Sequence, residues 1–207
     1  MPVNKLDLSK ESNSWLNALV CDSQNIINEY ETLIKDTEYV EHFYLDNWKL
    51  LPIYSFELGL HKEIKYFPHI KKFIENIPKE LTLMAITFSI IGYGDTAFHA
   101  EKWTNFDGFH RIHFPLRDVG DSSLFVKEDD GDVHEYGYDV GNLYEFENPY
   151  NTHKPRNNNK SRKNRIFIMF DYINTIENPN VDFELVVAKN KRAIDEFIIP
   201  PNLLPPL

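Results

Sequence analysis

The stretch Glu80–Ile91, with the sequence ELTLMAITFSII, changes the character of the chain and decides its fold class. Within it, Leu81–Ile91 is rich in β-branched and aromatic residues and is typical of a buried strand. Short apolar segments follow it, separated by turn-forming Asp, Gly and Asn. These segments predict strands at Arg111–Leu116, Ser123–Lys127, Asn142–Glu147, Tyr150–His153 and Arg165–Ile173. Many short strands at near-even spacing predict a β-sandwich or barrel.

Upstream of Glu80 the sequence has a helical period. Apolar residues recur there every three or four positions, namely Trp15, Leu16, Leu19, Val20, Ile26, Ile27, Tyr30 and Leu33. We expect Ser9 or Ser12 to cap this segment. A strand is predicted at Trp48–Phe56, and a second helix at Pro68–Asn76, which Pro68 begins.

The fold class predicted from these patterns is mainly β with flanking helices (α+β). We expect one domain over residues 1–207. Its divisions are a mostly helical N-terminal layer over 1–79, a β core over 80–173 and a C-terminal extension over 174–207, whose PPNLLPPL tail suits an extended strap.

Composition limits the classes of protein that the chain can represent. The 207 residues are 42% hydrophobic and 14% aromatic, which excludes a disordered or disulfide-stapled chain. A formal charge of −10 disfavours nucleic acid and anionic membranes as partners. The single cysteine, Cys21, fits a reducing compartment. Because neither a signal peptide nor a membrane-spanning run is evident, we expect a soluble cytoplasmic protein.

Three local patterns carry chemistry-bearing side chains. In His99-Ala-Glu101 an extended backbone turns the imidazole and the carboxylate to one side, as a metal site needs, although a solvated pair is the commoner explanation. In the Arg111–Leu116 strand, Arg111 and His113 share a face. A buried cation there needs a partner, either a ligand carboxylate or an ordinary ion pair with an acidic residue.

The third pattern runs from His153 to Asp171. Residues 154–165 carry six cations and no acid, and we interpret Lys160, Arg162 and Lys163 as a solvated loop. The alternating strand RIFIMFD then places Arg165 at the mouth of an apolar face, where a guanidinium can bind a carboxylate through two hydrogen bonds.

In this order the motifs resemble the aspartyl/asparaginyl β-hydroxylase family of Fe(II)/2-oxoglutarate-dependent oxygenases. The resemblance covers about Trp48–Tyr172. It is carried by FPHIKKFIENIP, by LTLMAITFSIIGYG before the His-x-Glu motif, by RIHFPL and by RIFIMFDY. It implies a double-stranded β-helix core, also called a jelly-roll or cupin-like core.

The resemblance also implies roles for individual residues. His99 and His153 would be iron ligands, and Glu101 the acidic ligand that many members have and some lack. Arg165 would pair with the distal carboxylate of 2-oxoglutarate and His113 would assist it, while Arg111 would contact the co-substrate or the substrate. Asn157, also placed by the resemblance, would orient the distal strand.

The chain departs from the family pattern at two points. The interval from His153 to Arg165 is about two residues longer than is usual in the family, which leaves Arg162 or Lys163 as an alternative carboxylate partner. Phe167 stands where histidine is common. We expect Phe167, with Phe88, Phe98 and Phe114, either to shield the site or to belong to the core.

The function that the resemblance implies is hydroxylation of an unactivated C–H bond in an amino acid, or in an amino-acid side chain of a peptide or protein. The cofactor would be Fe(II), with 2-oxoglutarate and O₂ as co-substrates. Arg111 and the cationic loop favour a substrate that bears a carboxylate. The alternative is a non-catalytic jelly-roll module that binds or supports a partner.

Overall fold

The computed structural model describes residues 3–36, 43–45, 47–96, 98–100, 108–117, 122–127, 131–146, 152–158 and 163–188. All strand pairings within these ranges are antiparallel. The strands are β1 (Val3–Lys5), β2 (Phe43–Leu45), β3 (Trp48–Ser55), β4 (Gly59–Leu60), β5 (Leu81–Ile91), β6 (Gly94–Asp95), β7 (Phe109–Arg117), β8 (Ser122–Lys127), β9 (Val133–Gly137), β10 (Tyr144–Phe146), β11 (His153–Asn157) and β12 (Arg165–Asn174).

The described strands form two sheets. The larger sheet has the order β1-β10-β7-β12-β5-β3-β2, with β4 paired to β3, and the smaller has the order β6-β11-β8-β9. From β5 to β12 the chain passes back and forth between them, with β5, β7, β10 and β12 in the larger sheet and the others in the smaller. Two antiparallel sheets connected in this way are a jelly roll. The fold is therefore the predicted double-stranded β-helix.

Helices cover the outer face of the larger sheet. They are a 3₁₀ turn at Glu11–Leu16, α1 (Asn17–Cys21), α2 (Ser23–Leu33), a second 3₁₀ turn at Lys62–Tyr66 and α3 (Pro68–Ile74). The helical residues predicted to be apolar on one face, such as Leu19 and Ile26, are fully buried against strand residues such as Phe88 and Ile168. Burial of this large cluster holds the helices to the sheet.

The opposite face of the larger sheet looks into the space between the two sheets. Alternation along β12 sends Ile166, Ile168 and Phe170 to the helices, and Arg165 and Phe167 to the interior. Strand β7 alternates in the same way, with Ile112 facing the helices. Because successive side chains of a strand point to opposite faces, each of these strands contributes to the outer core and to the interior at once.

The long strands agree closely with the sequence predictions. Strand β5 has the predicted bounds, and β7 and β12 extend the predicted segments by one or two residues at their ends. Strand β9 was not predicted, because its sequence VHEYG is largely exposed and lacks an apolar alternation. Strand β11 corrects one prediction, since His153 begins a strand rather than ending one.

The predicted helix cap is wrong. The first 3₁₀ turn begins after Lys10, which is extended and makes no side-chain capping bond. The hydroxyl of Ser9 instead donates to Asp7 Oδ1 at 2.7 Å, in a turn that precedes the helix. A serine hydroxyl can form a hydrogen bond in a local turn as readily as at a helix N-terminus, so the sequence alone does not distinguish the two positions.

The described part of the chain contains no helix that is both long and apolar enough to cross a membrane.

His110 of β7 forms a pair of carboxylate contacts that links β10 to the segment after β12. Its Nδ1 lies 2.5 Å from Glu145 Oε1 and its Nε2 lies 2.9 Å from Glu177 Oε2. Its ring stacks on Tyr172 with centroids 5.0 Å apart. Burial lowers the pKa of His110, but the hydrogen bonds and charges of the two carboxylates outweigh burial and raise it above its ordinary value.

This raised pKa predicts a pH-dependent stability. Since the folded pKa exceeds the unfolded one, the contribution of His110 is complete below about pH 6.5 and is lost as the pH rises through the folded pKa. We expect the free energy of unfolding of the wild type to fall relative to that of His110→Gln as the pH rises from about 6.5 through the folded pKa of His110. Urea unfolding at a series of pH values measures the free energy of unfolding of both proteins. If the difference between the two free energies did not change with pH, the prediction would be wrong.

Candidate active site

His99 and His153 lie side by side at the edge of the smaller sheet. Each backbone N–H donates to the other's carbonyl, with N···O distances of 2.9 and 2.7 Å, so the two residues form an isolated antiparallel bridge. Their ring centroids are 4.3 Å apart with planes inclined by 58°. The fold therefore brings two imidazoles, 54 positions apart in the sequence, to one place.

Aromatic rings surround these two imidazoles. The Trp48 ring lies 4.9 Å from that of His99, and Phe146 meets the His153 ring edge-on at 4.9 Å. Trp48 is held by its Nε1, which donates to Ser89 Oγ at 2.8 Å. His153 is buried because β11 alternates, directing His153, Pro155 and Asn157 inward and leaving Lys154 and Arg156 half-exposed. Each imidazole is thus in contact with an aromatic ring.

The donor set is compatible with a transition metal. Two neighbouring imidazoles suit Fe, Zn, Cu or Ni, and a carboxylate with two histidines is typical of non-haem Fe(II) sites. Within the described ranges no group of three or more His, Cys, Asp or Glu residues is placed to hold a metal. The predicted third ligand, Glu101, lies outside the described residues.

Arg165 opens β12 and is only 1% exposed. Its Nη1 donates to the carbonyl of Ser123 on β8 at 3.1 Å. Its guanidinium carbon lies 4.9 Å from the ring centroid of Tyr138 and 5.0 Å from that of Phe167. Lys163, the alternative partner for a carboxylate, is exposed. A buried guanidinium between aromatic rings attracts an anion strongly because water does not screen it.

His113 and Tyr138 stand next to this guanidinium. His113 Nδ1 lies 2.7 Å from Tyr138 Oη, and the His113 ring is 5.2 Å from that of Phe167. Burial, together with the charges of Arg111, His153 and Arg165, holds the pKa of His113 well below its ordinary value. Burial likewise raises the pKa of Tyr138. Both side chains are therefore neutral at pH 7.

Tyr138 is a site residue that no sequence pattern indicates. It follows β9 in a region that the sequence marks chiefly by its ten acidic residues over 118–147. Its own segment, residues 128–141, lies between two predicted strands and has no strand period. A buried tyrosine that touches both a histidine and an arginine becomes visible only when β7, β9 and β12 are brought together.

Asn157 ends β11 and joins three segments. Its Nδ2 donates to the carbonyl of Ile91 at 2.9 Å and to that of Lys163 at 3.0 Å. Asn157 is fully buried. The side chain thus holds the end of β5 against the residues that lead into Arg165, which is a positioning role for the start of β12.

The four predicted aromatic residues divide between the two faces. Phe88 and Phe114 pack in the helix-side cluster and therefore belong to the core. Phe167 lies in the interior beside Arg165 and His113. Phe98, immediately before His99, is 45% exposed.

Arg111 forms a bidentate ion pair with Asp171. Its Nε and Nη2 donate to the two carboxylate oxygens at 2.7 and 2.6 Å, and the two side chains are 3% and 4% exposed. Of the two partners expected for Arg111, a ligand carboxylate or an acidic residue, the structure shows the acidic residue. Arg111 and Asp171 are paired directly across the neighbouring strands β7 and β12, and Arg111 precedes His113 by two residues in β7.

Breaking this pair should destabilise the fold. In Asp171→Asn a buried guanidinium loses its counter-charge, so we expect the free energy of unfolding to drop by about 3–5 kcal/mol. The double variant Arg111→Met/Asp171→Leu removes both charges and should recover most of the loss. Urea unfolding measures all three proteins, and a loss below about 1 kcal/mol in Asp171→Asn would contradict the prediction.

Comparison with known proteins gives similarity at the level of structure. No model of a known protein family matches the sequence, and no curated protein sequence matches it either. The solved structure of the non-heme alpha ketoglutarate dependent carbocyclase SnoK from nogalamycin biosynthesis superposes with a TM-score of 0.54 at 9% identity, covering 75% of this chain and 76% of that one.

Two further solved structures are similar. The epimerase SnoN, in complex with Fe3+, alpha ketoglutarate and nogalamycin RO, has a TM-score of 0.52 at 10% identity and covers 84% of this chain and 79% of its own. A 2OG-Fe(II) oxygenase family oxidoreductase from Burkholderia pseudomallei has a TM-score of 0.48 at 11% identity, covering 72% and 77%. The similarity to SnoK and SnoN confirms the fold, a double-stranded β-helix of the kind found in non-haem α-ketoglutarate-dependent enzymes.

Proposed function

We propose that this protein is an Fe(II)/2-oxoglutarate-dependent oxygenase that hydroxylates an unactivated C–H bond of an amino acid, or of an amino-acid side chain in a peptide or protein. One observation carries the proposal. The barrel interior contains a pair of neighbouring imidazoles, His99 and His153, and also a buried guanidinium, Arg165. Two imidazoles suit iron, and a buried cation linked to them through the rings of Phe167, His113 and Phe146 suits a dicarboxylate.

His99 and His153 would hold the iron, with Glu101 as the acidic ligand. When bound, Fe(II) with 2-oxoglutarate and O₂ supplies the oxidant, one oxygen atom entering succinate and the other the substrate's new hydroxyl, with CO₂ released. The aromatic rings of Trp48 and Phe146 border the two imidazoles, so they would limit the access of water to this chemistry.

Arg165 would bind the distal carboxylate of 2-oxoglutarate. Its burial supports this role over Lys163, which is exposed. In the tautomer with its proton on Nδ1, a neutral His113 would donate to Tyr138 Oη, and the phenol proton would then be available to the same carboxylate. Phe167 would pack against the methylene groups of the co-substrate.

Within this class we assign the chain to the aspartyl/asparaginyl β-hydroxylase family, on the motifs RIHFPL and RIFIMFDY. We also treat residues 1–207 as one oxygenase domain. Arg111 stands in the family's Arg-x-His motif, and its bidentate contact with Asp171 supports a structural contribution from this residue.

The test of this function uses the purified wild-type chain. After removal of metal with a chelator, anaerobic titration should give one bound Fe(II) per chain. Addition of 2-oxoglutarate and O₂ should then produce succinate slowly even without substrate, and a second round of chelation should stop it. A chain that binds no Fe(II) and forms no succinate would overturn the proposal in favour of a non-catalytic jelly-roll module.

A further inference from the structure

A half-exposed group of side chains lies on the inner face of the larger sheet, away from Arg165. We call it the apolar strip, and it consists of Leu50, Pro52, Ala85, Thr87 and Met169. Each of these residues is of intermediate burial, whereas the neighbouring Ile91 and Phe167 are buried. The strip is therefore a wall of the interior that other described side chains cover only in part.

Strand register places the strip in one continuous area. Pro52 is paired with Thr87, and Thr87 with Met169, across β3, β5 and β12. Leu50 precedes Pro52 and Ala85 precedes Thr87 by two residues, so they lie on the same face. Since paired side chains on one face are about 5 Å apart, the five residues form a connected surface.

The strip adjoins the candidate metal site. Leu50 and Met169 pack against the cluster formed by Trp48, Ile91 and Phe167. The Trp48 ring of that cluster is 4.9 Å from the ring of His99. A molecule lying on the strip would thus meet the imidazoles at one end.

The strip contains no charged residue, and the nearest charges on the described part of this face do not favour a charged ligand. Beside Ala85 the next residue in register on β12 is Asp171, which is paired to Arg111. The two opposite charges cancel at a distance of a few ångströms. Arg165 lies at the other end of β12, three inward positions from Asp171.

We propose that the apolar strip binds the part of the substrate that is oxidised, and that this part is an uncharged aliphatic group such as a leucine-like side chain. The inference rests on the proposed function and names its substrate class. It differs from the carboxylate-bearing substrate that the sequence favoured, because the strip offers apolar contact and no cation.

The expected selectivity follows from desolvation. An ionised carboxylate placed against such a wall would lose its water without gaining a partner. Each buried methylene, in contrast, should strengthen binding about fourfold. We therefore expect an aliphatic side chain to bind at least about tenfold more tightly than an acidic one of similar size.

Methionine NMR tests this directly. The chain has three methionines, of which Met169 lies in the strip, and Met84 is 1% exposed in a different cluster with Ile173 and Val186. The metal-free protein, labelled with ¹³C at the methionine methyl groups, is titrated with N-acetyl-leucine methylamide and separately with N-acetyl-aspartic acid methylamide. Met169→Leu and Met84→Leu assign the signals.

The leucine probe should shift the Met169 signal and leave that of Met84 unchanged, at concentrations where the aspartate probe shifts neither. The variant Thr87→Lys, which places a charge in the strip, should abolish the shift, and Leu58→Lys, at a position 73% exposed, should not. An equal or larger shift with the aspartate probe, or no shift of Met169 with the leucine probe up to its solubility limit, would overturn the inference.

This titration is independent of iron and 2-oxoglutarate. If the metal test of the proposed function fails while Met169 responds to the leucine probe, the oxygenase assignment is wrong and the ligand class of the strip stands. If succinate is formed but Met169 does not respond, the oxygenase assignment stands and the substrate class is wrong.

Discussion

Alanine at either His99 or His153 is expected to abolish Fe(II)-dependent succinate formation. Each substitution removes one of the two imidazoles that lie 4.3 Å apart, and the remaining ring cannot hold iron with the same affinity. Replacing a residue that hydrogen-bonds to a metal ligand typically lowers metal affinity or activity about 10–100-fold. Loss of a ligand itself should therefore reduce turnover by more than about a hundredfold. Succinate formation and anaerobic Fe(II) titration measure the two effects separately.

The fold should tolerate both substitutions. The bridge between His99 and His153 is made by backbone N–H and C=O groups, which alanine retains. A matched control is His61→Ala, since His61 lies in the turn after β4 and contacts Ser55 rather than the barrel interior. If both alanine variants kept full turnover, the two histidines would not be the iron ligands.

Arg165→Ala is expected to raise the 2-oxoglutarate concentration needed for half-maximal turnover by about a hundredfold or more. The reason is burial, because a guanidinium that is 1% exposed forms an ion pair with little screening by water. Loss of one partner from a buried charge pair typically costs 2–5 kcal/mol. Steady-state kinetics with 2-oxoglutarate as the varied substrate measures the change.

Lys163→Ala is the matched control for the same measurement. Lys163 lies two residues before Arg165 and is exposed. Its removal should therefore change the 2-oxoglutarate concentration needed for half-maximal turnover only a little. Arg165→Lys keeps the charge and loses the two-pronged geometry, and it should fall between the wild type and Arg165→Ala. If Lys163→Ala had the larger effect, the anchor would be Lys163.

Much of the fold could be predicted because the long strands have strong local patterns. The bounds of β5 agree with its apolar run, and alternation in RIFIMFD correctly separated Arg165 and Phe167 from Ile166 and Ile168. Such assignments need only the two-residue period of a strand. Short or polar strands such as β1 and β9 lack that period, and their place in a sheet depends on neighbours that are distant in sequence.

The candidate site was predictable only in part, for a related reason. The motifs identify His99 and His153 as residues able to bind metal, yet the sequence does not contain the bridge that makes them neighbours. Tyr138 had no local signal at all. Arg111 had two possible partners, and pairing of β7 with β12 in one register selected Asp171.

The sequence by itself determined which faces of the strands are apolar, where the chemistry-bearing side chains occur and that the chain has a single fold class of packed short strands. Only the tertiary structure decided which of those side chains meet, because their proximity depends on strand register between distant segments. A shift of one residue in β12 would turn Arg165 from the interior to the helices. The same register places the half-exposed Met169 and Thr87 beside each other, which is the basis for proposing an aliphatic group, where the sequence favoured a substrate that bears a carboxylate.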